Sequence, residues 1–162
     1  MSALIDNNYK LQSQWSLYYH CPTNNDWSLS SYIKIDSFST IEEFWILLNS
    51  LSESHISSGM FFIMRGSIKP IWEDENNKKG GCWSYKVSKK DAYKGWIEMA
   101  VSLIGENITE EELLINGISI SPKKGFCVIK IWNNNSSKDN KDLLNKNISY
   151  LNTETTLYKA FT

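Results

Sequence analysis

Apolar and polar positions alternate with a period of two in several short stretches of this chain and recur every three to four residues in two longer ones. A strand sends successive side chains to opposite faces, whereas a helix gathers positions i, i+3 and i+4 on one face, so the two periods separate the elements. Trp15-Ser16-Leu17-Tyr18-Tyr19 predicts a strand over 13–20, and Tyr32-Ile33-Lys34-Ile35-Asp36 a second. Ile41, Phe44, Trp45 and Leu48 share a helical stripe, and Ser39 or Thr40 followed by Glu42 or Glu43 can cap its start, which predicts a first helix over 40–50. Residues 60–65 read as a strand, and Gly80-Gly81 reads as a reversal into another over 82–87, the two forming a hairpin with a long loop. Ala92, Trp96, Met99, Ala100, Leu103 and Ile104 mark a second helix over 89–104, closed by Gly105. Strands are expected at 116–121 and 126–132 around Pro122-Lys123-Lys124-Gly125, then a solvated loop over 133–142, a short helix over 139–147 and a last strand over 155–161.

Strands dominate and are joined by reversals, so the pattern predicts an α+β fold. Its sheet should be largely antiparallel, with about six to eight strands and helices on one face. The other face is left for loops and ligand. A chain of 162 residues fits one domain, expected over 11–162 after a flexible polar segment at 1–10. Lys and Arg number 17 against 18 Asp and Glu, which argues against phosphate neutralisation over the whole surface; any nucleic acid would be held in a pocket. The absence of a leader-like or membrane-spanning apolar run makes a cytoplasmic, membrane-free chain the expectation, and a monomer is expected besides. Three cysteines without paired spacing imply reduced thiols and neither a disulfide frame nor a zinc site, and no cofactor is implied.

Tryptophan is the compositional outlier, with seven residues at no fixed spacing, so each needs a local reason. An average tryptophan belongs in the core. Trp27 instead follows the turn-forming Cys21-Pro22-Thr23-Asn24-Asn25-Asp26, and Trp72 stands beside Glu73 in the polar run between Ile68 and Gly81. An indole face attracts a delocalised positive charge, and a carboxylate accepts two parallel N–H bonds. A guanine alkylated at N7 offers both features.

The pattern Trp72-Glu73-Asp74-x-x-Asn77-x-x-Gly80-Gly81-x-Trp83 resembles the centre of the translation initiation factor 4E family, which binds the 7-methylguanosine cap of messenger RNA. The resemblance runs over roughly 11–161, through Gln14-Trp15, Trp27, Ser39-Thr40-Ile41-Glu42-Glu43-Phe44-Trp45, Trp96-Ile97-Glu98, Leu103-Ile104-Gly105-Glu106 and Ile131-Trp132. It implies a cupped sheet backed by three helices on its convex face. It also implies that Trp27 and Trp72 sandwich the methylated base, that Glu73 reads the guanine N1–H and N2–H edge, and that Trp132 lies near the methyl group. The alignment puts Lys123 where the family usually has Arg and Lys124 in the same basic loop, so both are candidate phosphate ligands. Val128 falls where a Lys is expected, and Cys82 replaces a common Arg.

The same resemblance implies a second surface, formed by Ile41, Trp45, Ile97, Glu98 and Val101, that grips a scaffold factor or regulator through a helix bearing Tyr-x-x-x-x-Leu and an apolar residue. Helical spacing puts 41 with 45, and 97 with 101, on common faces. The family's entry motif His-Pro-Leu reads Tyr9-Lys10-Leu11, so Leu11 joins this set. The expected function is cap binding with scaffold docking to promote translation initiation; the alternative is a cap-binding competitor that represses translation. Catalysis is not expected, because Cys82, Cys127, His20 and His55 carry no nucleophile motif.

Overall fold

The computed structural model describes residues 9–162. Seven strands, β1 (Lys10–His20), β2 (Ile33–Thr40), β3 (Met60–Arg65), β4 (Gly81–Ser88), β5 (Ile115–Pro122), β6 (Phe126–Asn133) and β7 (Leu157–Ala160), form one sheet. Its order is β2-β1-β3-β5-β6-β4-β7, and every neighbouring pair is antiparallel. Three α-helices accompany it: α1 (Ile41–Asn49), α2 (Glu53–Ser58) and α3 (Ala92–Ile104). The expected α+β class, strand number and antiparallel sheet are all present.

The period-two pattern divides the sheet into two unlike faces. Trp15 and Leu17 of β1, Phe61 and Ile63 of β3, Trp83 and Tyr85 of β4, Ile118 and Ile120 of β5, and Ile129 and Ile131 of β6 pack with Phe44, Trp96, Met99 and Leu103 of the helices. The alternate positions Tyr18, Phe62, Met64, Cys82 and Trp132 form a smaller cluster on the open face. Burying the first set fixes strand register, because a one-residue slip would exchange the two faces. Thr40 starts α1 as the sequence pattern indicates: its hydroxyl accepts the Glu43 N–H at 3.1 Å, a cap worth about 1 kcal/mol.

Two expectations need correction. The helix expected over 139–147 is only a single 3-10 turn, Lys141–Leu143. Asn140 and Asn145 accept backbone N–H groups two residues on, at 2.9 Å each, and such local bonds compete with helix formation. The third helix is α2, whose start carries a capping box in which Ser52 and His55 bond each other's backbone N–H at 3.2 and 3.1 Å.

The hairpin expected between β3 and β4 is also absent, because β5 and β6 lie between these strands. Residues 66–80 therefore cross the end of the sheet. Gly80 and Gly81 serve close approach instead of a tight reversal: a Cβ on Gly80 would stand 1.9 Å from the Asn133 carbonyl oxygen, and one on Gly81 2.3 Å from that of Lys159. The true hairpin joins β5 to β6, where Lys123 N–H bonds the Phe126 carbonyl at 2.8 Å and Gly125 takes φ +87°.

Of the polar segment expected to be flexible, residues 1–8 lie outside the described residues. β1 begins at Lys10, before the expected start at 13. Tyr9 N–H meets the Glu42 carboxylate at 3.1 Å, and its carbonyl accepts the Ile41 N–H at 2.9 Å, which ties this stretch to the start of α1. Among the described residues no helix is long and apolar enough to cross a membrane, and all three cysteines are free.

Gly80→Ala is expected to cost about 3 kcal/mol or more, since the clash is with backbone that cannot rotate away. Gly125→Ala meets open space and should cost only about 1 kcal/mol, for its left-handed backbone. Urea unfolding followed by tryptophan fluorescence measures both.

Candidate functional site

Two loops reach over the open face from opposite ends of the sheet. The 21–32 loop leaves β1 at His20, opposite Met60, while the 66–80 segment leaves β3 at the other end, after Arg65. Between them lies a cleft of about 480 Å³ whose lining includes Trp27, Tyr32, Trp72, Glu73, Lys130 and Trp132. That volume suits a small planar ligand.

Trp27 is 50 % exposed, yet it does not hang free. Its ring stacks on His20, with centroids 4.3 Å apart and planes 7° from parallel. His20 is fully buried. Its Nε2 lies 2.7 Å from the Asp26 carbonyl, which can only accept, so Nε2 carries the hydrogen; Ser31 Oγ is 3.1 Å from the same nitrogen. Imidazole thus covers one indole face and pins the loop that bears it. Nearby, Ser28 N–H bonds Asp26 Oδ1 at 2.9 Å and Ser28 holds that carboxyl below its ordinary range.

Trp72 is 47 % exposed, and its loop is braced from within by the other residues of its motif. Asp74 accepts the N–H groups of Lys69 and Asn76 at 2.9 and 2.8 Å. Asn77, fully buried, donates its amide to the Lys69 and Ile71 carbonyls at 2.9 Å each and accepts from Asn116 Nδ2 at 2.9 Å. Asn116 also donates to the Asn76 carbonyl at 2.8 Å, which joins the loop to β5. Asp74 and Asn77 therefore fix the backbone on which Trp72 and Glu73 are displayed.

Trp132 is only 7 % exposed but keeps an edge in the cleft. Its indole N–H donates to Ser119 Oγ at 3.1 Å, and its ring meets Phe62 edge to face at 6.3 Å. Glu73 is exposed at the rim. Burial, helped by the Glu73 charge, pushes the Tyr32 hydroxyl up to about 12, so it remains a neutral donor at physiological pH.

The structure thus brings Trp27, Trp72, Glu73, Trp132 and Lys123 to one cleft, while Lys124 stays exposed in the turn outside its lining. Sequence reasoning missed His20, Tyr32 and Lys130. Lys130 could have been found from strand alternation alone, because it shares the face of Trp132 two residues on.

On the helix-bearing side, Ile41, Trp45 and Val101 are exposed, and Ile97 is half-buried against the core. Leu11 also packs on the core beside the start of α1. Glu98 differs from the others, because its two carboxylate oxygens already accept the Ser149 and Tyr150 N–H groups at 3.0 and 2.9 Å.

Residues 10–161 match the family model described as eukaryotic initiation factor 4E. The eukaryotic translation initiation factor 4E of Saccharomyces cerevisiae is 33 % identical over 145 residues, covering 85 % of this chain and 68 % of that protein. The chain spans about two thirds of the length of the curated relatives it matches, at 68, 66 and 64 % for three of them. The structure of Ascaris suum eIF4E-3 with m7G cap superposes with a TM-score of 0.82 at 27 % identity, covering 96 % of this chain and 92 % of that one. The Caenorhabditis elegans eIF4E-3 structure, at 24 % identity and a TM-score of 0.83 over 94 % of this chain and 92 % of that one, matches in fold.

Asn77→Ala is expected to strand several buried carbonyl and amide groups and to cost about 2–3 kcal/mol. Amide hydrogen exchange across 66–80 should accelerate more than exchange in β1 or β3; uniform acceleration through the sheet would show that the side chain supports the whole fold instead of the loop.

Proposed function

The chain belongs to the eukaryotic initiation factor 4E family, and from that premise we propose that it binds the 7-methylguanosine cap of messenger RNA in the open-face cleft. The observation that carries this reading is the pair of half-exposed indoles, Trp27 and Trp72, reaching the same cleft from opposite ends of the sheet, with Glu73 beside one of them. Methylation at N7 places a positive charge on the purine. Two indole faces stabilise it by stacking and cation–π attraction, each about 1–3 kcal/mol. Glu73 accepts the guanine N1–H and N2–H, a pair of donors that adenine lacks; a charged hydrogen bond of this kind contributes about 1.5–3 kcal/mol. Trp132 closes the cleft near the methyl group. Lys123 stands where the phosphates leave the base.

No bond of the ligand is broken in this reading. The chain acts as a non-enzymatic recognition module in the cytoplasm, and its output is the recruitment of another protein. Exposed Ile41, Trp45 and Val101 on α1 and α3 support docking of an amphipathic helix from a scaffold initiation factor, through its Tyr-x-x-x-x-Leu face. This surface lies on the helix-bearing side, so the cap and the partner do not compete for space. Such a layout favours promotion of translation initiation over competition for caps.

Trp27→Ala and Trp72→Ala are each expected to abolish retention on a 7-methylguanosine resin while leaving cooperative unfolding intact; retention of both would reject the sandwich. Glu73→Ala should weaken cap binding at least about tenfold in fluorescence titration. Trp45→Ala should lose a Tyr-x-x-x-x-Leu peptide by about 100-fold, as for an interface anchor, with unchanged cap affinity.

A further inference from the structure

Lysines 86, 123, 130 and 159 surround the part of the open face between Trp132 and the β5–β6 turn, in a chain whose net charge is only −1. Lys86 is exposed and lies 4.7 Å over the Phe126 ring. Lys159, also exposed, sits on the edge strand opposite Cys82. Lys130 differs from both: it is half-buried, rises from the middle of β6 and lines the cleft. No ion pair among the described residues involves it.

Its surroundings suit an anion. Across the sheet Lys130 is paired with Ser84 on β4 and Ser119 on β5, two small hydroxyl residues that leave room above the strand. Ser119 Oγ accepts the Trp132 N–H and so keeps its own hydrogen to donate outward. Ser121, one strand step further, lines the same cleft. A half-buried lysine without a carboxylate partner among the described residues, flanked across the sheet by two serines, is complementary to a phosphoryl group. The neighbouring Cys82 thiol registers the same field: burial pushes it up, while the Lys130 and Lys159 charges draw it down.

We propose that Lys130 is the principal cation for the ligand's phosphates, placing their main contact on the floor of the cleft instead of at the turn lysines Lys123 and Lys124. This inference rests on the cap-binding reading. Lys130 stands two residues from Trp132, about 7 Å along the strand toward the turn. A base held beside Trp132 with its ribose toward the β5–β6 turn would carry its 5′ phosphates along β6, over Lys130 and toward Lys123. An ammonium is a point charge without the fixed fork of a guanidinium, so it responds to how many phosphates are present more than to their orientation.

The test titrates 7-methylguanosine and its 5′-triphosphate, by intrinsic fluorescence, into the wild-type chain and K130M, K130R and K124M. K130M should weaken the triphosphate about tenfold, leave the nucleoside within about twofold, and be largely rescued in K130R. K124M should weaken the triphosphate much less than K130M does. Unchanged triphosphate affinity in K130M, or equal loss of nucleoside and triphosphate, overturns the assignment of Lys130. A wild-type chain that binds neither ligand overturns the cap reading itself, and this inference with it. Thermal melting checks the fold of each variant, and K130Q replaces K130M if the latter does not melt cooperatively.

Discussion

The buried amide of Asn77 is the contact on which the wall of the open-face cleft depends. A segment that crosses the end of a sheet has no ladder to satisfy its peptide groups, and buried polar groups left unpaired are costly. Asn77 supplies donors to Lys69 and Ile71 and receives one from Asn116, so a single side chain stands in for the missing strand partner. Asp74 does the same for Lys69 and Asn76. With the backbone so held, the chain can place an indole and a carboxylate side by side at the cleft without burying either.

The sheet contributes through its two-sidedness. One face is filled by helices and an aliphatic and aromatic core, which supplies the stability. The other face carries a thin aromatic layer of Tyr18, Phe62 and Trp132 beneath the two loops. The residues that line the cleft are thus mounted on strands or on loops braced to them. Charge follows the same division, with the cleft's acid at the rim near Trp72 and its lysines toward the β5–β6 turn.

Much of this was legible in the sequence, because the period of two and the helical stripes are direct images of what is buried. Trp27 and Trp72 could be placed outside the core from their polar, turn-rich surroundings. Strand order was not legible: the Gly80-Gly81 pair suggests a reversal equally well whether its small size serves a turn or a close approach to Asn133 and Lys159. The short helix α2 escaped because its cap uses His55 where Glu or Gln is usual. The asparagines after residue 139 hid the opposite error, since their preference for local backbone bonds is invisible to hydrophobic periodicity. Alternation from Trp132 assigns Lys130 to the open face, a weaker signal in the sequence than the paired turn lysines Lys123 and Lys124.

The imidazole stacked behind Trp27 has a consequence for how the chain meets its target. A tryptophan on a free loop would have to be immobilised at the moment of encounter, and the lost rotational freedom would be subtracted from affinity. Here that ordering is completed during folding, by a histidine sealed beneath the surface. Under the proposed cap-binding reading, an arriving purine would find one aromatic wall already standing, held from the interior of the protein.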